Sequence, residues 1–367
     1  MNTKFKSNIQ LESLSEKLRK VEETNAANEL HTFITHVWEN WKKLNSSSEL
    51  NIMVVGDGDN YPAALFSKFS ILEKYYTTHV QTFTTQYALS YLTQCDNYSK
   101  PCNFKPTFDL IIGIDFDGHS KEMNEIAKLC HYTDTYFLLI TAASEIVFDK
   151  NIYFTDSVKA CIISCDYFEV LSDKKPHALS FISTLAPVAL FDDDYYQNYY
   201  HLNEQELNKG KKFVNNLDIS CIVSSLSKSP ITHVFYERTT EPTAYDIKHK
   251  FMASGVANVI LHEKNNFSNG DINILLNNDI GLIINLVKYN GNSKYNRNLD
   301  CFLSDFCNKN NYNYIAIGSN CSDNSQWNIE AMMMLPYLIT AIGNTLNIDV
   351  CNPKNQIKKE ETQKTFY

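Results

Sequence analysis

Three short segments concentrate the side chains that could do chemistry. Gly56-Asp57-Gly58-Asp59 and Asp115-Phe116-Asp117-Gly118-His119-Ser120 pair carboxylates with glycine, and Glu237-Arg238-Thr239-Thr240 joins an acid, a cation and two hydroxyls. Carboxylates in such turns could recognise a cationic amine or a hard cation, while turn backbone N–H groups could cradle an anion. The spacing of Asp57, Asp115 and Asp117 matches no defined metal loop, so no metal and no cofactor is expected. His119 reads first as an exposed turn histidine; with His249 and Glu263 it is also a group able to serve as a general base.

These segments each follow an apolar run of strand length. Asn51–Val55, Phe108–Ile114 and Tyr136–Thr141 alternate with helical patterns at about 61–75 and around Met123, Ile126, Ala127 and Cys130. The alternation restarts at His233–Tyr236, followed by a helix over Pro242–Ser254, strands near Val256–Leu261 and Gly281–Val287, a helix over Leu299–Cys307, a strand at Tyr314–Ile317 and a helix over Asn328–Gly343. Continuous apolar strands between amphipathic helices predict parallel sheets covered on both faces, and in such sheets ligands sit beyond the carboxyl ends of the strands. The fold class is α/β, in two tandem halves. The expected organisation is an N-terminal helical pair (1–46), a first domain (47–190), a helical connector (191–215), a second domain (216–350) and a tail (351–367).

In the N-terminal pair, Leu11, Leu14, Leu18 and Val21, then Leu30, Phe33, Ile34, Val37, Trp38 and Trp41, fall at helical spacing. Such faces need a partner surface, and a second copy of the chain is one. The 367 residues carry 33 basic and 42 acidic side chains, a formal charge of −9, which argues against a polyanion partner such as nucleic acid. Ten cysteines without a CxxC pair or zinc spacing read as reduced thiols in a cytoplasmic protein. Met1-Asn-Thr-Lys-Phe-Lys lacks a signal-peptide core, and no apolar run is expected to span a membrane.

The order of these parts, a strand, a glycine turn, a helix of the type Tyr61-Pro-Ala-Ala-Leu, then an apolar strand ending in Gly118-His119-Ser120 before a helix, all repeated once, resembles the tandem SIS (sugar isomerase) domains. The arrangement is similar to the isomerase half of glucosamine-6-phosphate synthase and to the fructosamine deglycases, over about residues 48–360. The closing Asn352-Pro-Lys-Asn-Gln-Ile-Lys358 is similar to that family's P-R-N-L-x-K segment. The resemblance implies a sugar-phosphate or amino-sugar ligand held by Gly56, Asp57, Gly58, Asp115, Asp117, Gly118, His119, Ser120, Ser172 and Lys174. It implies catalysis by Asp246, Lys250 and Lys358, in a homodimer whose sites lie between subunits.

At the motifs themselves the sequence departs from the family. Hydroxyl-rich G-T-S and S-x-S-G-x-T turns are replaced by Gly56-Asp57-Gly58 and Asp115-Phe116-Asp117-Gly118-His119-Ser120. The proton-shuttling glutamate of E-x-x-x-K-x-x-E falls on Ala253, and the histidine of H-G-P on Asn269. General acid–base catalysis is worth about 10²- to 10⁴-fold, and neither replacement supplies it. The expectation is a carbohydrate-derivative binding protein with a degenerate isomerase site, noncatalytic or regulatory. The alternative is an active phosphosugar isomerase, deaminase or fructosamine deglycase using altered residues.

Overall fold

The computed structural model describes residues 25–44, 49–75, 78–99, 108–116, 118, 120–133, 135–142, 158–162, 180–191, 199–267, 280–290, 294–321 and 323–351, with scattered residues in 8–21 and 272–276. The chain divides into two compact units. One comprises Ser15–Pro176 with Ile182–Asn203; the other comprises Met1–Leu14, His177–Phe181 and Glu204–Tyr367.

The first unit holds a five-stranded parallel sheet in the order β2-β1-β3-β4-β5, from β1 (Leu50–Gly56), β2 (Thr78–Phe83), β3 (Leu110–Ile114), β4 (Tyr136–Thr141) and β5 (Val158–Ile162). The three central strands are apolar almost throughout because helices cover both faces, so neither set of alternating side chains meets water. On one face Met53, Val55, Ile111, Phe137 and Leu139 pack with Ala88 of α3 (Thr85–Ser99) and with Met123, Ile126, Ala127 and Cys130 of α4 (Lys121–Thr133). α2 (Tyr61–Lys74) follows β1, with Pro62 in its first turn, where a missing N–H costs nothing.

The apolar face of α1 (Ala26–Leu44) finds its cover within the same unit. Phe33 meets Tyr136 edge-on at 6.2 Å, Trp38 lies 5.9 Å from Tyr75, and the His31 ring donates through Nε2 to the Leu190 carbonyl at 3.0 Å. Leu30, Phe33, Ile34, Val37 and Trp41 are buried. The partner surface that this face needs is supplied within its own unit.

In the second unit the sheet has four parallel strands in the order β7-β6-β8-β9, from β6 (Ile231–Tyr236), β7 (Asn258–Glu263), β8 (Leu282–Lys288) and β9 (Tyr314–Ser319). The intervening helices are α7 (Ile219–Lys228), α8 (Glu241–Ala253) and α9 (Lys294–Asn310). Among the described residues around the expected helical connector lie α5 (Ser180–Phe191) and α6 (Tyr199–Asn215).

α10 (Asn324–Leu346) has the length and apolarity of a membrane span, which the sequence reading did not anticipate. It is a core helix: Trp327, Met332, Leu335, Leu338 and Ile342 are buried, and the Trp327 indole donates to the Val287 carbonyl at 3.2 Å. Among the described cysteines Cys130, Cys307 and Cys351 are buried free thiols, packed as small hydrophobes.

Candidate functional site

Both sheets place their first strand between the second and third. In an open parallel sheet this is where the direction of winding reverses, and a crevice opens beyond the strand ends. In the first unit that point lies between β1 and β3, whose ends are register partners at Gly56 and Ile114.

The turn after β1 is tight. A Cβ on Gly56 would meet the Asn60 carbonyl oxygen at 2.8 Å, and Gly58 has φ +52°, a left-handed backbone that glycine adopts without steric cost. Asp57 lies between them in extended backbone, and its carboxylate accepts from both the N–H (3.2 Å) and the hydroxyl of Thr85, the first residue of α3. After β3, Asp115 folds back on its own turn: Oδ2 accepts from the Ser120 N–H at 2.9 Å, and its carbonyl accepts from the Gly118 N–H at 3.0 Å. Gly118 also has a left-handed φ of +67°. The Ser120 hydroxyl caps α4 by accepting from the Met123 N–H at 3.1 Å, and it reaches Glu122 at 3.3 Å.

Thus Gly56, Asp57, Gly58, Asp115, Gly118 and Ser120 come together at one switch point, where carboxylates of the chain occupy donors at the starts of α3 and α4. A helix N-terminus attracts anions because its first N–H groups are unpaired. Here Asp57 takes one such donor of α3, and Asp115 takes the N–H of the residue capping α4. Burial raises the pKa of Asp57 above the usual carboxylate value; the Thr85 hydrogen bond opposes this, and the nearby charges of Glu122 and Asp115 add to it. Glu122 and Thr85 had no signal in the sequence beyond a place in a first helical turn.

The second unit repeats the plan. β6 ends at Tyr236, Glu237 takes the position of Asp57, a short turn spans Arg238–Thr240, and α8 opens with Pro242 in its first turn. Both turns are tied to a later helix of their own unit: Thr184 of α5 donates to the Asp59 carbonyl at 2.9 Å, and Asn328 of α10 donates to the Thr239 carbonyl at 2.8 Å. Beside Glu237, Lys264 is fully buried, donating to the Leu286 carbonyl at 2.6 Å and to Asp300 at 2.7 Å. Burial raises the Glu237 pKa, the Lys264 cation counters it, and Asp300 adds to it.

No protein-family model matches the chain, and no curated protein sequence matches it. Solved structures do match. The C-terminal domain of glucosamine-fructose-6-phosphate aminotransferase from Francisella tularensis superposes with a TM-score of 0.62 at 11% identity, over 95% of this chain and 98% of that one. The chain has the tandem SIS fold. Two further SIS-like structures agree: glucosamine-6-phosphate deaminase from Thermotoga maritima, with a TM-score of 0.59 at 11% identity over 93% and 98% of the two chains, and tagatose-6-phosphate ketose/aldose isomerase from Escherichia coli, with 0.59 at 15% over 93% and 93%. Identities this low establish the SIS fold and leave the ligand to the residues.

Of the residues that the SIS resemblance implies for catalysis, Asp246 and Lys250 lie one turn apart on the inner side of α8. They form an ion pair whose side chains are 0% and 2% exposed. Ala253, at the end of the helix, is exposed. His249 is held as a neutral imidazole, its pKa lowered to about 4 by burial and by Lys248 and Lys250, well below the range useful to a general base at neutral pH. Glu263 accepts from Asn266 at 2.7 Å. Asp117, His119, Ser172, Lys174, Asn269 and Lys358 lie outside the described residues.

Proposed function

We propose that this protein is a noncatalytic, SIS-fold binding protein for a carbohydrate derivative that brings no phosphate to the first switch point, an amino sugar being the class that its carboxylates favour. The observation that carries this reading is the occupation of the helix-start donors: Asp57 holds the Thr85 N–H and hydroxyl, and Asp115 holds the Ser120 N–H. A phosphate entering there would displace two carboxylates and then face them. Two unit charges at about 4 Å repel by about 4 kcal/mol at an effective dielectric near 20. An ammonium group at the same place is attracted by a similar amount.

The noncatalytic part is supported by Ala253 in the place of the family's proton-shuttling glutamate, and by the enclosure of the Asp246–Lys250 pair. The structurally similar glucosamine-6-phosphate deaminase and tagatose-6-phosphate ketose/aldose isomerase mark the chemistry from which this reading departs. A homodimer belongs to the same reading, because the resemblance implies sites between subunits; sedimentation velocity tests it.

A thermal-shift comparison of glucosamine, glucosamine 6-phosphate and fructose 6-phosphate, paired with an isomerase assay, tests the function. The expected result is stabilisation by glucosamine, little by either phosphate, and no turnover. Turnover of fructose 6-phosphate, or stronger stabilisation by it than by glucosamine, would overturn the proposal.

A further inference from the structure

An exposed ring stands at the edge of the first switch point. Tyr87, in the first turn of α3, is 58% exposed, yet its ring is seated: it stacks on Phe83 at 5.1 Å with 16° between the planes. Phe83 in turn faces Tyr91, one turn further along α3, and lies edge-on to the buried Phe108, which Tyr91 also meets edge-on. A single exposed aromatic is ordinary on a protein surface. One held against a cluster of other rings has given up its rotamer freedom before a ligand arrives, so a contact with it costs less ordering. With one face against Phe83, Tyr87 exposes its opposite face and its rim.

The strand register fixes where that ring lies. Phe83 ends β2 opposite Val55, and both side chains are on the sheet face that carries α3. Asp57 follows Val55 by two residues in extended backbone, so its side chain projects from the same face, where it accepts from Thr85, two residues before Tyr87. Strands about 4.8 Å apart, with a rise of about 3.3 Å per residue, put the backbones of Phe83 and Asp57 about 8 Å apart. Asp57 and Gly58 are themselves exposed, so the carboxylate and the ring both open to solvent at the start of one helix. A carboxylate holds an ammonium, and an aromatic face packs on C–H groups and attracts a nearby cation. A cyclic amino sugar presents both kinds of group on one small ring; its open-chain alditol keeps the amine and loses the fixed carbon face. We propose that Tyr87 is a specificity-determining residue of the first switch point, packing on the carbon face of a cyclic amino sugar whose ammonium is held by Asp57. The assignment rests on the amino-sugar reading of this site and adds what is recognised besides charge.

Isothermal titration of D-glucosamine and of its open-chain reduction product, 2-amino-2-deoxy-D-glucitol, tests this on the full chain, using wild type, Tyr87→Ala, Tyr87→Phe and Asp57→Ser. Glucosamine is expected to bind wild type about three- to tenfold more tightly than Tyr87→Ala, the range that one aromatic contact supplies. Tyr87→Phe, which keeps the ring, should recover most of that loss, and the alditol should bind wild type and Tyr87→Ala alike. The exposed ring can be removed without opening the core, and a melting temperature close to that of wild type checks this. Equal glucosamine affinity in wild type and Tyr87→Ala, with weakening in Asp57→Ser, would overturn this inference and leave the amino-sugar reading standing. Equal weakening of both compounds in Tyr87→Ala, or weakening there without any in Asp57→Ser, would detach the ring from the sugar's carbon face or from this site, and would overturn it too. No binding of glucosamine by wild type would overturn the amino-sugar reading and this inference with it.

Discussion

Replacing Lys264 by methionine keeps the length of the side chain and deletes its charge, and the structure sets how much that should cost. The ammonium is fully buried, 2.6 Å from the Leu286 carbonyl and 2.7 Å from Asp300, whose carboxylate also accepts from Asn285. Its removal leaves Asp300 and Glu237 close together without the cation between them. Breaking a buried pair from one side costs about 3–5 kcal/mol, most of it the penalty of the stranded charge. Asp300→Asn strands the ammonium in turn. The double variant strands neither, so its cost should fall below the sum of the two singles by about 2 kcal/mol. Urea unfolding of the four proteins, followed by circular dichroism, measures this coupling. The Lys264→Met single variant should also regain stability as pH falls, because Glu237, already raised and now without Lys264 to lower it, binds a proton more readily folded than unfolded. A single-variant cost under about 1 kcal/mol, or strict additivity, would refute the claim that these side chains form one network.

The His233 pair should make the protein sensitive to acid. His233 is fully buried with Nδ1 2.8 Å from Nε2 of His262, and burial followed by the His262 charge lowers its pKa from 6.5 to about 4. The unfolded chain therefore takes up this proton first; the stability it represents is complete above about pH 6.5 and is lost as pH falls toward 4, by on the order of 3 kcal/mol. Urea midpoints near pH 7 and near pH 5 should differ less in His233→Phe than in wild type, and equal differences would contradict the assignment. Gly56→Ala should lower stability by about 1–3 kcal/mol, because its Cβ would meet the Asn60 carbonyl and the turn cannot relax without moving Asp57. A melting temperature unchanged by this substitution would show that the turn is looser than described.

Much of the fold is written in its central strands. Leu110–Ile114, Tyr136–Thr141 and Leu282–Lys288 are buried on both faces, and continuous apolar runs signal that burial directly. The edge strands β2 and β5 escape the same test. Thr78–Phe83 alternates exposed and buried positions because only one side of it is covered, and Val158–Ile162 carries a lysine at its second residue. The internal repeat is legible because each half places an acid, a short turn and an early proline after its first strand. That Asp57 and Asp115 would meet at a switch point follows from topology; that both carboxylates are already bonded to helix-start donors does not, because Thr85 lies 28 residues from Asp57. The second cluster was less accessible still. Glu237 stood out in its turn, but Lys264, Asn285 and Asp300 come from three separate elements, and only the polar interruption in Leu-Ile-Ile-Asn-Leu-Val-Lys gave a sign of it.

Calorimetric titration of fructose 6-phosphate into wild type and into Asp57→Ser/Asp115→Ser tests whether, as proposed, the protein's own carboxylates keep a phosphate from the first switch point. Serine keeps a helix-capping oxygen at both turns while removing the charge. No measurable binding is expected at the first switch point of wild type, and a gain of binding is expected in the double variant. Tight binding of fructose 6-phosphate by wild type that weakens in the double variant would contradict it, since the aspartates would then be ligands of the phosphosugar rather than substitutes for its phosphate.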